Sequence, residues 1–320
     1  MAISLHKFYS VPVSSFTIES DKYHPHATYI KRVPRTRKYI PQQAIKLMKD
    51  YKFTPYVDSF LFTDSGKRRK LLTKSNVKIM KGEKLGYKSA ILNLLPAKSS
   101  GWNLCGNSGY CEFECLDTAG KNTLYTSMRA RIARTMLWKT DPYLFLRLLI
   151  HEIISFTMEN QMLGMQTSIR LNGLSDIPWF SHIYFDRLTQ DHTDSNGVQW
   201  LRFHDYTKNP KVRQRPAYHL TYSINEKTSS GLLKDLMDRG VTSCLVVAGE
   251  STKRRDAELA KEFMLTYGLH YKGLEICPLQ LFDADDTDLR FLDKPGTIGL
   301  LTAKGDALKD KNSGFVHILR

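Results

Sequence analysis

From residue 88 onward the chain alternates short apolar runs with longer stretches of helical periodicity, and this alternation constrains the fold more than any other feature. The runs at 89–95, 167–172, 199–204, 218–223, 243–248, 274–281 and 297–302 have the length and composition of strands. Residues 124–138, 142–161, 230–239 and 257–267 read as amphipathic helices, with Leu232, Leu233, Leu236 and Met237 a clear example of the apolar spacing. Strands separated by helices need crossover connections, so the expected class is α/β, with βα units around a parallel sheet in a partial (βα) barrel. Residues 1–83 lack the alternation. A helical pattern at 41–51 and turn signals at Pro55 and Ser65-Gly66 make them a basic α+β or irregular amino-terminal extension to a barrel domain at 84–320.

Charge sharpens that division. The net charge is +15, and residues 1–80 hold sixteen Lys and Arg against five Asp and Glu, an excess of 11. Two clusters dominate: Lys31, Arg32, Arg35, Arg37 and Lys38, then Lys67, Arg68, Arg69 and Lys70. They are interleaved with Tyr29, Tyr39, Phe60 and Phe62, a mixture that suits a polyanion with stackable bases. Nucleic acid is the favoured partner, with a solvated basic face as the plain alternative. The apolar run at 144–154 is interrupted by Arg147, His151 and Glu152, so no membrane span is expected. The first fifteen residues lack a secretory pattern, which points to a cytoplasmic protein.

The five cysteines do not suggest a disulfide framework, because three of them fall within eleven residues. Cys105, Cys111 and Cys115 form a C-x5-C-x3-C pattern in a loop with Gly106, Gly109 and Gly120, between an apolar strand and a long helix. Three thiolates on one flexible loop can hold three corners of a four-iron, four-sulfur (4Fe–4S) cluster and leave the fourth iron open for a ligand. Structural zinc normally takes four ligands at closer spacing, and unligated thiols are the remaining reading. Cys244 and Cys277 lie in apolar strand contexts and read as core residues.

A parallel barrel presents its chemistry on the loops after the strand carboxyl ends. Those positions hold the cysteine loop, Asn172 with Ser175 and Asp176, Asp205 with Tyr206 and Lys208, Asn225 with Glu226, Glu250, the Asp283/Asp285/Asp286/Asp288 group, and Lys304. Asn172, Asp176, Asp205, Glu226 and Asp283 are the candidate catalytic groups; taken singly, each is equally a cap or a solvated loop end. The four clustered aspartates also suit a Mg²⁺ site for phosphoryl transfer. No Gly-x-Gly-x-x-Gly, P-loop or Gly-x-Ser-x-Gly pattern occurs, so dinucleotide, nucleotide-triphosphatase and hydrolase classes lack their usual support.

Several separated pieces together resemble the phage gene product 88 domain: the three-cysteine loop, SIRLNGLSDIPW (168–179), FHDYTKNP (203–210), YHLTYSINE (218–226), and the tail from DADDTDLRFLD (283–293) through TIGLLTAKGDALKD to GFV. The resemblance spans about residues 84–320 and implies a viral protein acting in the cytoplasm of a bacterial host. A cysteine loop after the first strand of a partial βα barrel is also similar to the radical S-adenosylmethionine (radical SAM) enzymes. In those, a three-cysteine 4Fe–4S cluster chelates the amino-acid part of S-adenosylmethionine, whose reductive cleavage yields a 5′-deoxyadenosyl radical. The similarity implies that Cys105, Cys111 and Cys115 are the ligands and that residues 172–176 face the cofactor amine. The spacing departs from C-x3-C-x2-C, Glu114 stands where an aromatic usually precedes the last cysteine, and Asn172-Gly173-Leu174 replaces Gly-Gly-Glu.

The leading expectation is therefore an iron–sulfur, radical-SAM-like enzyme acting on nucleic acid or a nucleotide. Two alternatives stay open: a nucleic-acid-binding accessory protein whose cluster only staples the loop, and a protein that occupies a host protein through its basic surface.

Overall fold

The computed structural model describes residues 25–34, 39–74 and 80–319. Its centre is a mostly parallel sheet. A short β1 (Leu72–Thr73) runs antiparallel to β2 (Tyr87–Leu92) at one edge. Next come β3 (Gln166–Arg170), β4 (Leu201–Thr207), β5 (Tyr218–Ser223) and β6 (Ser243–Ala248), each parallel to its predecessor. A β7–β8 hairpin (Leu269–Tyr271, Leu274–Ile276) stands apart, and β9 (Leu281–Asp283) is the far edge, outside β10 (Ile298–Thr302). The sheet is open, with β1 and β9 as its two edges, so no closed barrel forms among the described residues.

The β5–β6 junction is unusual. β5 pairs with β6 only at Tyr222↔Ser243 and Ser223↔Cys244; further along, β11 (Val316–Ile318) takes the neighbouring place, from Val316↔Val246 to Ile318↔Ala248. β5 thus ends where β6 begins, and the last strand takes the place beside the remainder of β6.

Helices cover the sheet. α1 (Gln42–Asp50) and α2 (Val57–Leu61) precede it; α3 (Tyr125–Thr140) and α4 (Pro142–Gln161) link β2 to β3. Asp141 separates the latter pair and caps α4 by accepting from Leu144 N at 3.0 Å, with Pro142 in the first turn, where a missing N–H costs nothing. α4 buries Phe145, Leu149, Ile153 and Phe156, each burial stabilising by roughly 1.5–3 kcal/mol. α5 (Phe185–Gln190), α6 (Ser230–Asp238), capped by Ser229, and α7 (Arg254–Tyr267) complete the set. Among the described residues no helix is long and apolar enough to cross a membrane.

The strands expected at 218–223 and 243–248 form over those residues, and the others form within a few positions, except at 274–281. There β8 ends at Ile276 and a 3₁₀ turn at Pro278–Gln280 intervenes before β9, because Pro278 has no N–H to give to a ladder. The unforeseen β7 arises from the Lys272-Gly273 turn, whose φ values of 48° and 84° suit a two-residue hairpin. In the amino-terminal region Ala44, Met48, Phe53 and Phe60 join the same apolar core as the sheet.

Candidate functional site

The carboxyl ends of β2 through β6 and β10 surround a cavity of about 250 Å³. Its roof is the segment after β2, which crosses the strand ends as a chain of 3₁₀ turns at Gly109–Glu112, Leu116–Thr118 and Gly120–Thr123. All three cysteines of this segment line the cavity.

The loop is anchored at several points. Residue 105 forms a parallel bridge to Asp176 beyond β3, reinforced by Asp176 N donating to Leu104 O at 2.9 Å. Cys105 N donates to Asn103 Oδ1 at 2.9 Å, and Ala97 N donates to Cys105 Sγ at 3.3 Å. Glu226, after β5, accepts from Tyr110 N at 3.2 Å. At the same contact Gly109 has φ +53°, and a Cβ there would lie 2.2 Å from Glu226 Oε1, so both backbone conformation and space call for glycine. Glu226 is thus a loop clamp and does not line the cavity.

Burial pushes the Cys105 thiol up to about 11 and the Cys115 thiol up to about 12. Cys111 packs partly against the small apolar cluster of Ala303, Ala307, Phe315 and Val316. Lys208, just past β4, sits among the sulfurs, with Nζ 3.1 Å from Ser223 Oγ and 5.8 Å above the Phe315 ring. Burial alone would lower its ammonium, but Cys111, Asp176 and Cys105 outweigh that and raise it. A fixed positive charge therefore stands where thiolate charge would develop.

The wall opposite the loop is built around Asn172. Its Oδ1 accepts from Ser175 Oγ (3.0 Å), Ile177 N (2.9 Å) and Trp179 Nε1 (3.0 Å), while Nδ2 donates to Ile177 O (3.0 Å). Trp179 is fully buried against Trp138 and Phe145, which pins the turn to α3 and α4. Asp176 lines the cavity and accepts from Lys208 N at 3.0 Å. Asp205 does not line it. That carboxylate is wholly buried below, taking hydrogen bonds from Leu171 N (3.2 Å), Asn172 N (2.8 Å) and Tyr218 Oη, and burial pushes it up to about 7. Its role is to hold the end of β3. The neighbour that reaches the cavity is Tyr206, whose ring stacks under the Arg170 guanidinium at 4.5 Å. Arg170 also lines the cavity and pairs with Asp288 at 3.0 Å.

Asp283 lies outside the cavity lining, paired with Lys261 at 2.7 Å. Asp285 bridges Lys261 (3.3 Å) and Lys304 (2.7 Å) and accepts from Thr302 N, so two acids of the aspartate group are engaged by lysines and Asp288 by Arg170. Among the described residues no three His, Cys, Asp or Glu side chains are grouped so as to hold a metal ion.

The basic candidates separate. Arg35, Arg37 and Lys38 lie outside the described residues. Lys31 and Arg32 are exposed, with Lys31 5.7 Å from the Tyr184 ring and Arg32 O 3.1 Å from His182 Nδ1. Lys67 and Lys70 are exposed; Arg68 is bound to Glu152 at 3.1 Å and Arg69 lies 5.5 Å over Phe53, holding the approach to β1 against α4 and the core.

With this geometry in place, comparison with known proteins adds one result: the gene product 88 family matches residues 69–317, well over half of the chain. The chain belongs to the gene product 88 family. No curated protein and no solved structure matches it. In this family member the matched region takes in every cavity-lining residue named above. Arg170 was missed in the sequence, where it ends a mostly polar strand run, Gln166–Arg170, and carries no local signal; Lys208 and Tyr206 were visible only as rim positions.

Proposed function

We propose that this gene product 88 protein is a phage-type iron–sulfur protein whose cavity holds a 4Fe–4S cluster on Cys105, Cys111 and Cys115, and that it is a radical-SAM-like enzyme acting on nucleic acid or a nucleotide in the host cytoplasm. The observation that carries the reading is the convergence of three thiols from one glycine-containing loop on a single cavity at the carboxyl ends of sequentially ordered parallel strands. Cysteine thiolates are the usual ligands of such a cluster, and Lys208 and Arg170 bring positive charge to a site that would gather thiolate charge.

The parallel strands β2 to β6 stand in chain order with β10 after them, helices cross between β2 and β3, β3 and β4, and β5 and β6, and the cysteine loop follows the first long strand. When bound, such a cluster with S-adenosylmethionine supplies one-electron chemistry. The chain's own residues would hold and shield it: Asn172 keeps residues 172–177 rigid, Lys208 offsets negative charge, and Ala97 N and the residues 303–316 cluster screen two of the sulfurs from water. In the turn that Asn172 holds, the Asp176 carboxylate, which lines the cavity, is the group that would orient a cofactor amine.

The test is anaerobic purification with iron, sulfide and visible-absorption analysis of the natural chain and of Cys105→Ala, Cys111→Ala and Cys115→Ala. About four irons and four sulfides per chain, lost in each variant, is the expected result; S-adenosylmethionine titration then follows by spectroscopy. A folded, colourless, iron-free natural protein after reconstitution would sink the reading.

A further inference from the structure

Beside the cysteine cavity lies a second cleft of about 440 Å³, which shares Asn172, Asp176 and Thr207 with it. Its lining is rich in side-chain amides and rings: Asn103, Asn107 and Asn209 on one side, Phe180, Trp138 and His182 on the other. Asn103 and Asn209 use their carbonyl oxygens for local turns, accepting from Cys105 N at 2.9 Å and Lys211 N at 3.0 Å. Among the described residues their amide nitrogens make no hydrogen bond, so NH₂ donors remain for a ligand. The Arg215 guanidinium lies 4.3 Å from the Phe180 ring centroid. Exposed cations border the cleft, Arg215 through that contact and Lys31 and Arg32 through the segment bonded to His182, and the half-buried Lys139 is in the lining itself.

We propose that this cleft seats one base of a single-stranded nucleic acid, with the Phe180–Arg215 pair as stacking surface, the asparagine amides on the base edge, and Lys31 and Arg32 on flanking phosphates. Planar cation–aromatic pairs stack bases of any identity, side-chain amides match the donors and acceptors of base edges, and exposed cations follow the backbone. A base stacked on that pair cannot at the same time stay stacked in a duplex, so a duplex would have to give up a base to bind this way. The shared Asn172 and Asp176 place the seated base next to the cysteine cavity. The inference rests on the reading of that cavity as a reaction site for its purpose, but the binding itself needs no cluster.

The experiment is equilibrium fluorescence anisotropy with a labelled mixed-sequence single-stranded 12-mer, as DNA and as RNA, titrated at several salt concentrations, with the matching duplex as competitor. The natural chain, Phe180→Leu, Lys31→Ala/Arg32→Ala, the control Lys67→Ala/Lys70→Ala, and the triple cysteine-to-alanine chain are compared, with circular dichroism checking each fold. Single strands should bind more tightly than duplex. Phe180→Leu should weaken binding about tenfold with the salt slope unchanged. Lys31→Ala/Arg32→Ala should flatten the log–log salt slope by about 1.4, two contacts at roughly 0.7 each. The control and the folded cysteine-free chain should bind as the natural chain does, so loss of iron with retained binding would fault the cluster and not the cleft. Absence of binding, equal affinity for duplex, or dependence on Lys67 and Lys70 with indifference to Phe180 would overturn the proposal.

Discussion

Replacing Asn172 by alanine tests the architecture of the site most directly, because one side chain organises the whole turn after β3. The substitution removes an acceptor shared by three donors and a donor to Ile177 O. Ser175 Oγ can rotate to another partner. Trp179 Nε1 belongs to a ring with no exposed surface, and Ile177 is 8% exposed, so neither of their N–H groups reaches water without local opening. Each stranded buried donor costs about 1–3 kcal/mol, which places the destabilisation near 4 kcal/mol in total. At the low end of about 2 °C per kcal/mol for a chain of this size, the midpoint of thermal unfolding should fall by about 8 °C. The assay is thermal unfolding followed by tryptophan emission, in which a loosened Trp179 should also shift the folded-state spectrum. Asn172→Asp keeps the acceptor while losing the donor, and should fall between the two. A midpoint within about 2 °C of the natural chain, with unchanged emission, would refute the reasoning and leave Asn172 free to act on a ligand.

Other outcomes follow from the same geometry. Because burial raises the Cys105 and Cys115 thiols to about 11 and 12, cluster uptake must displace protons, and anaerobic reconstitution should speed up steadily from pH 7 to pH 9; a flat profile would contradict the burial of those thiols. Lys208→Met should lower iron retention during desalting while Lys208→Arg largely preserves it, and equal retention in both would remove the charge argument. Gly109→Ala, forced to a positive φ and against Glu226, should open the loop and increase proteolysis between residues 105 and 120 several-fold, as read by timed digestion and mass spectrometry. Asp283→Asn should leave iron content unchanged, since that carboxylate serves Lys261 outside the cavity; loss of iron would restore it to the site.

Much of the frame was legible in the chain because local periodicity and capping agree with the final structure. Asp141-Pro142 announces α4, and the apolar runs at 218–223 and 243–248 become β5 and β6 without adjustment. The cysteine loop was legible as a candidate site because its residue types have few structural uses at that spacing, and its three thiols line one cavity. What escaped depends on contacts distant in sequence. Nothing local to residues 281–302 shows that β9 lies outside β10, or that β11 lies beside β6. Asp205 was read as a rim group because it follows the strand expected at 199–204, but it lies inside β4, which is largely buried on both faces, so alternation does not distinguish inward from outward. Glu226 follows a strand and Asp283 ends one, and their partners, Tyr110 N and Lys261, are set by tertiary packing alone.

The short junction of β5 and β6 has a consequence for the order of assembly. Phe315 lines the cysteine cavity, and the strand that follows it takes the place beside the remainder of β6, more than two hundred residues after the first cysteine. During synthesis the loop can form early, yet its enclosure must wait until residues 315–318 have left the ribosome and docked. Such a long-range closure is intrinsically late in folding. If the loop holds the proposed cluster, iron captured before that moment would sit on an open loop, and maturation of the centre would be timed by the arrival of β11.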